Sequence, residues 1–342
     1  MIVVEAPSRL HFGLLSFPAG PWWPNHLGQV TVPARRFGGV GLMIHSPGLS
    51  LRLRPAKDWS ARGPLADRAW GFALRFMDSL RAEENEFSNM HSGLIPRALE
   101  ITIERSAPEH AGLGTGTQLA LAVARGLSEA WKLPVKPVDL CLRARRGARS
   151  ALGFHGFFQG GFLVEAGQAS DSRISPLVTR LPFPEAWGIV LVIPSWKMGM
   201  HGLEESDAFR QLLSDGIPLQ QIERLCRLTL LGLLPALVEL DFKSFGEALF
   251  DYNSLAGEAF TKAQGGTYAS PRVTELVQFI RRQGIAGVGQ SSWGPTVFAI
   301  VEDESRGEKL ARQVRTTFGL HENEVLVTIA CNQGATVKAI EE

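Results

Sequence analysis

One heptapeptide constrains this chain more than any other segment: Gly112-Leu-Gly-Thr-Gly-Thr-Gln118. It lies between an alternating stretch, Leu99 to Glu104 (LEITIE), and an Ala- and Leu-rich run from Thr117 to Trp131. Alternation of apolar and polar residues marks a half-buried strand, and the run that follows has helical character. The chain must therefore turn from strand to helix through three glycines. Glycine accepts positive φ and lets main-chain N–H groups approach an anion closely, and a helix N-terminus adds the positive end of its dipole. Gly112, Leu113, Gly114, Thr115, Gly116, Thr117 and Gln118 are accordingly the expected phosphate-binding segment, with the hydroxyls of Thr115 and Thr117 as further donors. No GK[ST] follows, so this is not a Walker loop. A dinucleotide-binding unit fits poorly, because no acidic residue ends a second strand about 20 residues later. A plain helix-capping turn is the alternative.

The rest of the chain reads as α+β in two units. Its 342 residues suit two domains at about 150 residues each. Pro182 and Pro184 punctuate the chain just before an apolar stretch, Gly188 to Pro194, which divides it into residues 1–183 and 184–342. In the first unit, strands are expected at Ile2–Val4 and Arg9–Leu15, separated by Pro7, and at Leu49–Arg54. A Pro- and Gly-rich loop or hairpin covers 18–39, a helix covers Ala66–Leu80, and a polar loop follows near Glu83–Ser92. Arg143, Arg145, Arg146 and Arg149 fall on an expected helix as a solvated face, before a strand at Phe162–Glu165. Residues 204–281 are mostly helical in pattern, with Ile222, Leu225, Leu228 and Leu231 as an apolar stripe. Strand, helix and strand close the chain at Val297–Val301, Ser305–Phe318 and Val325–Ile329.

Composition excludes several functions. Lys and Arg total 35 against 34 Asp and Glu, a net charge of +1, which is no footprint for nucleic acid or an anionic membrane surface. Apolar residues make up 45% and charged residues 20%, enough for large cores and too apolar for disorder. Cys141, Cys226 and Cys331 are odd in number and widely spaced, which disfavours a disulfide framework or a zinc ribbon. Glu5 and Arg9 interrupt the first apolar stretch, making it a poor signal peptide, and Leu228–Leu240 is too short to span a bilayer. A cytoplasmic location is the expectation.

Four further segments carry candidate chemistry. Gln290-Ser-Ser-Trp-Gly-Pro295 follows Gly287 and Gly289 and precedes the strand VFAIV. Its Trp293 suits a platform against an aromatic or ribose face, with Gln290, Ser291 and Ser292 as donors, unless it is simply buried. Met198-Gly-Met-His-Gly-Leu-Glu204 places His201 and Glu204 beyond a strand's carboxyl end. In Ser8-Arg-Leu-His11, alternation puts Arg9 and His11 on one strand face, where two cations hold a phosphate or carboxylate. Within the arginine cluster, Arg149 has the best claim to function because it borders the glycine-rich loop that starts at Gly153.

Together these segments resemble the GHMP kinase superfamily, whose phosphate-binding motif GLGTGTQLALA is similar to and whose C-terminal glycine-rich motif is matched in place by Gly287–Pro295. The closer resemblance is to a non-kinase branch, the β-ribofuranosylaminobenzene 5′-phosphate synthases. It rests on RLHFGLL (Arg9–Leu15), ARSALGFHGFFQGGF (Ala148–Phe162), GMHGLEE (Gly199–Glu205) and GQSSWGPTVF (Gly289–Phe298), besides the loop itself. Small-molecule kinases of the superfamily commonly carry Ser-Gly-x-Asp shortly before a Gly-Gly pair, the Asp acting as base. Here the stretch before Gly160-Gly161 is Ser150-Ala-Leu-Gly-Phe-His-Gly, with no carboxylate and only His155 able to take a proton.

The resemblance implies an N-terminal domain like ribosomal protein S5 domain 2 and a ferredoxin-like C-terminal domain. It implies that phosphoribosyl pyrophosphate is joined to 4-hydroxybenzoate or 4-aminobenzoate, with loss of pyrophosphate and CO2, in tetrahydromethanopterin synthesis. Mg²⁺ would arrive with the pyrophosphate, ATP would not be required, and a homodimer is what the family suggests. Arg9, His11, Arg149 and His201 are then the expected catalytic groups. The glycine loop, Glu204, Gln290, Ser291, Ser292 and Trp293 are the expected binding groups. The acidic pair and Thr-Gly loop of ordinary phosphoribosyltransferases are missing, so such chemistry needs this different scaffold. A GHMP-type kinase with an unusual base and a noncatalytic sugar-phosphate-binding homologue are the other readings.

Overall fold

A computed structural model describes residues 1–16, 22–24, 30–86, 97–147, 149–169, 174–196 and 202–340. The first unit contains β1 (Ile2–Leu14), β2 (Trp22–Pro24), β3 (Val30–Pro33), β4 (Gly39–Pro55) and β5 (Ser60–Arg62). Helix α1 (Ala66–Glu86), β6 (Leu99–Arg105), α2 (Thr115–Ala130), α3 (Pro137–Arg143) and α4 (Leu152–Gln159) follow, then β7 (Phe162–Glu165) and β8 (Leu177–Leu181). The second unit opens with β9 (Gly188–Val192). Helices α5 (Gly202–Asp215), α6 (Leu219–Leu228), α7 (Leu234–Val238), α8 (Phe242–Glu258), α9 (Thr261–Gln264) and α10 (Pro271–Arg282) come next. The chain ends with β10 (Val288–Gln290), β11 (Val297–Val301), α11 (Glu304–Phe318), β12 (Val325–Thr328) and β13 (Thr336–Ala339).

The first sheet runs β13-β1-β4-β6-β5, with β7 and β8 continuing from the front half of β4. The second sheet runs β10-β11-β9-β12, all antiparallel. The turn at 182–187 separates β8 in one sheet from β9 in the other, but the last strand crosses back: β13 pairs with β1 through Ile2↔Ala339 to Glu5↔Thr336. Pro7 does not break the opening strand as expected. β1 is continuous, and the register against β4 shifts between Ala6 and Ser8. A residue without an N–H fits at such a bulge.

Two other expectations are corrected. Helix α3 stops at Arg143, and Arg145 takes a positive φ of 50° ahead of Gly147 at 80°; Arg145, Arg146 and Arg149 therefore lie beyond the helix rather than on a solvated helix face. The leucine stripe also fails at its last member. Ile222 and Leu225 are buried, but Leu231 is 72% exposed, because residues Thr229–Leu233 wind as a π-turn whose wider turn rotates the chain out of the helical register.

One apolar cluster joins the two units. It takes Leu10 and Phe12 from β1, Phe245 and Tyr252 from α8, and Leu191 and Phe298 from the second sheet. The rings of Phe12 and Phe298 lie 4.8 Å apart. Separate cores fill the space between the first sheet and α1 and α2, and between the second sheet and α10 and α11. The shared core holds the units together along the back half of β1.

Candidate active site

The back half of β1 has a free edge, because β13 ends opposite Glu5. Loops satisfy it instead of a strand. Arg9 N donates to Leu113 O at 2.9 Å, His11 N to Ser291 Oγ at 3.0 Å, and Ser292 N to His11 O at 3.0 Å. Asn253 Nδ2 donates to Phe12 O at 2.6 Å, and Tyr252 Oη to Gly13 O at 3.0 Å. Buried main-chain groups must find such partners, so this edge draws both glycine-rich loops and α8 to one place.

A cleft of about 360 Å³ opens there. One wall is cationic. Residues Gly112 to Thr117 line it together with Arg9, Arg68, Arg145, Arg146 and Arg149. Gly114 sits in the left-handed region at φ 73° as the N-cap of α2, with Arg9 so near that a Cβ built there would lie 3.3 Å from its side chain. Arg68 is ion-paired with Glu109. Burial, then the charges of Arg68, Arg75 and Arg149, press the Arg146 guanidinium down to about 10, so it stays charged at pH 7. Another part of the lining is aromatic: Phe209, Phe260, Tyr268 and Trp293. Arg149 bridges the two, its guanidinium 4.4 Å from the Phe209 ring centroid.

The structure gathers Arg9, His11, Arg149, the loop from Gly112 to Thr117, Gln290, Ser292 and Trp293 around this cleft. Their roles differ from the expectation in several places. His11 is buried, and burial followed by the charge of Arg9 holds its pKa well below the ordinary histidine value; it is neutral, and Arg9 alone is the cation on that strand face. Gln118 turns inward, its Nε2 donating to Gly153 O at 2.9 Å. The Thr115 hydroxyl donates to Pro108 O at 2.9 Å. Ser291 is fully buried, and its hydroxyl donates to Gly112 O at 2.8 Å while accepting from His11 N. Gln290 accepts from Ala269 N at 2.7 Å and donates to Ser292 O at 3.0 Å. Trp293 is part of a packed aromatic group, 4.5 Å from Phe260 and 5.4 Å from Phe209 by ring centroids. His201 lies outside the described residues, and Glu204 falls in the first turn of α5, where its side chain is also outside them.

Several lining residues have no clear signal in the chain's pattern, among them Arg68, Asn253 and Tyr268. A carboxylate was also missed. Glu165, at the end of β7, is buried, and its Oε1 accepts from the Ser150 hydroxyl at 2.6 Å while Oε2 accepts from Ala151 N at 2.7 Å. A Glu closing the apolar run FLVE was its only signal. His155, the other proton acceptor near Ser150 in sequence, points away to Ser175 O at 2.8 Å, and burial lowers its pKa.

Among the described residues, no helix is long and apolar enough to cross a membrane, and no three His, Cys, Asp or Glu side chains converge as a metal site. Two family models match the chain: GHMP kinases N terminal domain over residues 73–159, and GHMP kinases C terminal over residues 233–320. The chain is 30% identical to the β-ribofuranosylphenol 5′-phosphate synthase of Archaeoglobus fulgidus, over 99% of this chain and 100% of that one. It is 28% identical to the protein of that name from Methanothermobacter thermautotrophicus, over 98% of each. Among solved structures, homoserine kinase from Cytophaga hutchinsonii superposes with a TM-score of 0.62 at 18% identity, covering 98% of this chain and 97% of that one. The α+β architecture is thus the GHMP kinase fold.

Proposed function

We propose that this chain, which belongs to the β-ribofuranosylphenol 5′-phosphate synthase family of the GHMP kinase superfamily, condenses phosphoribosyl pyrophosphate with 4-hydroxybenzoate. The products are a C-riboside 5′-phosphate, pyrophosphate and CO2, in tetrahydromethanopterin synthesis. The observation that carries this reading is the pairing of five arginines and a glycine loop with an aromatic wall in one cleft. A donor with two separate phosphate groups needs the first wall, and a benzoate ring needs the second. The hydroxy acid is preferred over 4-aminobenzoate because the relatives are named for a phenol.

The chemistry follows from where charge develops. As the ribosyl–oxygen bond lengthens, negative charge gathers on the departing pyrophosphate. Pre-aimed donors act most strongly at such a point; we assign that role to Arg9 and the first turn of α2, which line the cleft together. Arg145, Arg146 and Arg149 are left to hold the 5′-phosphate and the benzoate carboxylate. Mg²⁺ would enter with the donor's pyrophosphate, whose charge it would share with the arginines of the cleft.

The kinase fold keeps a second reading open, since the superposed structure is a kinase. One assay separates them: purified protein with carboxyl-labelled 4-hydroxybenzoate, phosphoribosyl pyrophosphate and Mg²⁺, run beside ATP with homoserine, mevalonate and galactose. Labelled CO2 with no phosphorylated alcohol is expected. Phosphorylated product without CO2, at ordinary enzyme rates of roughly 1–10³ s⁻¹, would return the chain to the kinases.

A further inference from the structure

We propose that Ser150 and Glu165 form a two-residue proton relay, in which Ser150 takes the para-hydroxyl proton of the bound benzoate and passes its own to the carboxylate behind it. The inference rests on the synthase reading. Ser150 lines the cleft beside Arg149 and Gly147, on the side that leads to the aromatic wall through the Arg149–Phe209 stack. Glu165 lies directly behind it, buried, at 2.6 Å, the short range of a hydroxyl–carboxylate hydrogen bond. The stretch from Ser150 to Gly160 has no carboxylate of its own; β7 supplies one from 15 residues further along the chain.

The environment makes Glu165 able to take and return a proton. Burial pushes its carboxyl up to about 7, opposed by the hydrogen bonds of Ser150, Ala151 and Ser175 and by the charge of Arg9. Tyr252 on α8 feels its charge as well. A base works best when its pKa lies near the working pH.

The relay balances. The para O–H proton moves to Ser150 Oγ while the Ser150 proton moves to Glu165 Oε1. The ring carbon bearing the carboxylate supplies an electron pair to the ribosyl C1, whose bond to pyrophosphate breaks with its pair leaving on oxygen. The resulting dienone carboxylate breaks its C–CO2 bond, returns that pair to the ring, and recovers the proton through Ser150. Glu165 ends ionised, as it began.

Glu165 also caps α4 through Ala151 N, and the test must separate capping from relay. Glu165→Gln keeps an acceptor for Ala151 but cannot take a proton. Expected are a kcat lower by roughly 10²–10⁴-fold, a donor KM within a few-fold of the parent, and loss of the limb near pH 7 on which the parent's kcat rises with pH. Ser150→Ala leaves the carboxylate cap in place, so it carries the same test if Glu165→Gln fails to fold, and it should lose the same limb. Parent-like kcat and pH profile in both variants would overturn the relay alone. A parent enzyme that releases no CO2 from 4-hydroxybenzoate would overturn the synthase reading and the relay with it.

Discussion

The two glycine-rich loops meet back to back on the free edge of β1, and they spend their polar groups in opposite ways. Gly112 to Thr117 turns its backbone toward the cleft beneath Arg9 and Arg68, anchored at the rear by Arg9 N to Leu113 O. Val288 to Pro295 turns the side chains of Gln290 and Ser291 toward the protein and leaves Ser292 exposed at the cleft. Asn253 donates to Gln290 O at 2.9 Å and accepts from Gln290 N at 2.9 Å. Ser291 clamps the main chains of His11 and Gly112. The first loop lines the cleft, and the second holds the first in place. A glycine-rich segment is therefore no guide by itself to ligand contact; the partner of each N–H and hydroxyl decides.

Substitutions in the two loops should split binding from stability. The largest effect is expected from Gly114→Val. Its φ of 73° and the neighbouring Arg9 side chain leave no room for a branched residue, and losing two hydrogen bonds to a charged group, at about 1.5–3 kcal/mol each, costs roughly 10²–10⁴-fold. Affinity for phosphoribosyl pyrophosphate, measured by calorimetry, should fall by about that much. Unchanged affinity would remove the loop from the donor site and break the comparison.

Asn253→Ala should do the reverse. It strips partners from Phe12 O, Gln290 O and Gln290 N, all within 3.0 Å of the amide group. Each buried group left unsatisfied costs about 1–3 kcal/mol, so urea unfolding should show a loss of about 3 kcal/mol or more. Donor affinity of the folded fraction should change far less than in Gly114→Val. Should affinity fall as steeply as stability, the second loop would be a ligand contact as well as a clamp.

The smallest effect is expected from Trp293→Phe. The indole is one member of a packed group with Phe260 and Phe209, and aromatic pairs contribute about 0.5–1.5 kcal/mol beyond area. Steady-state assays should show an acceptor KM raised by a few-fold and a donor KM unmoved. A change confined to the donor would assign Trp293 to the ribose side and exchange the proposed walls.

What the chain's own pattern determined was local. LEITIE, the three glycines and the Ala/Leu run specify strand, turn and helix, and they appear as β6, the loop and α2; φ preferences and side-chain periodicity act over a few residues and are readable in order. The apolar strands at 162–165 and 297–301 were legible for the same reason. What tertiary structure decided was which polar group meets which. Arg68 on α1 and Arg146 after α3 reach one cleft only because α1 and α3 pack beside α2. Ser291 looked like a donor to ligand and became a clamp, because the edge of β1 left by β13 needed partners. Glu165 looked like the end of a strand and became the carboxylate behind Ser150, with burial setting its charge. Hydrogen-bond partners and desolvation depend on elements far apart in the chain, and no local pattern records them.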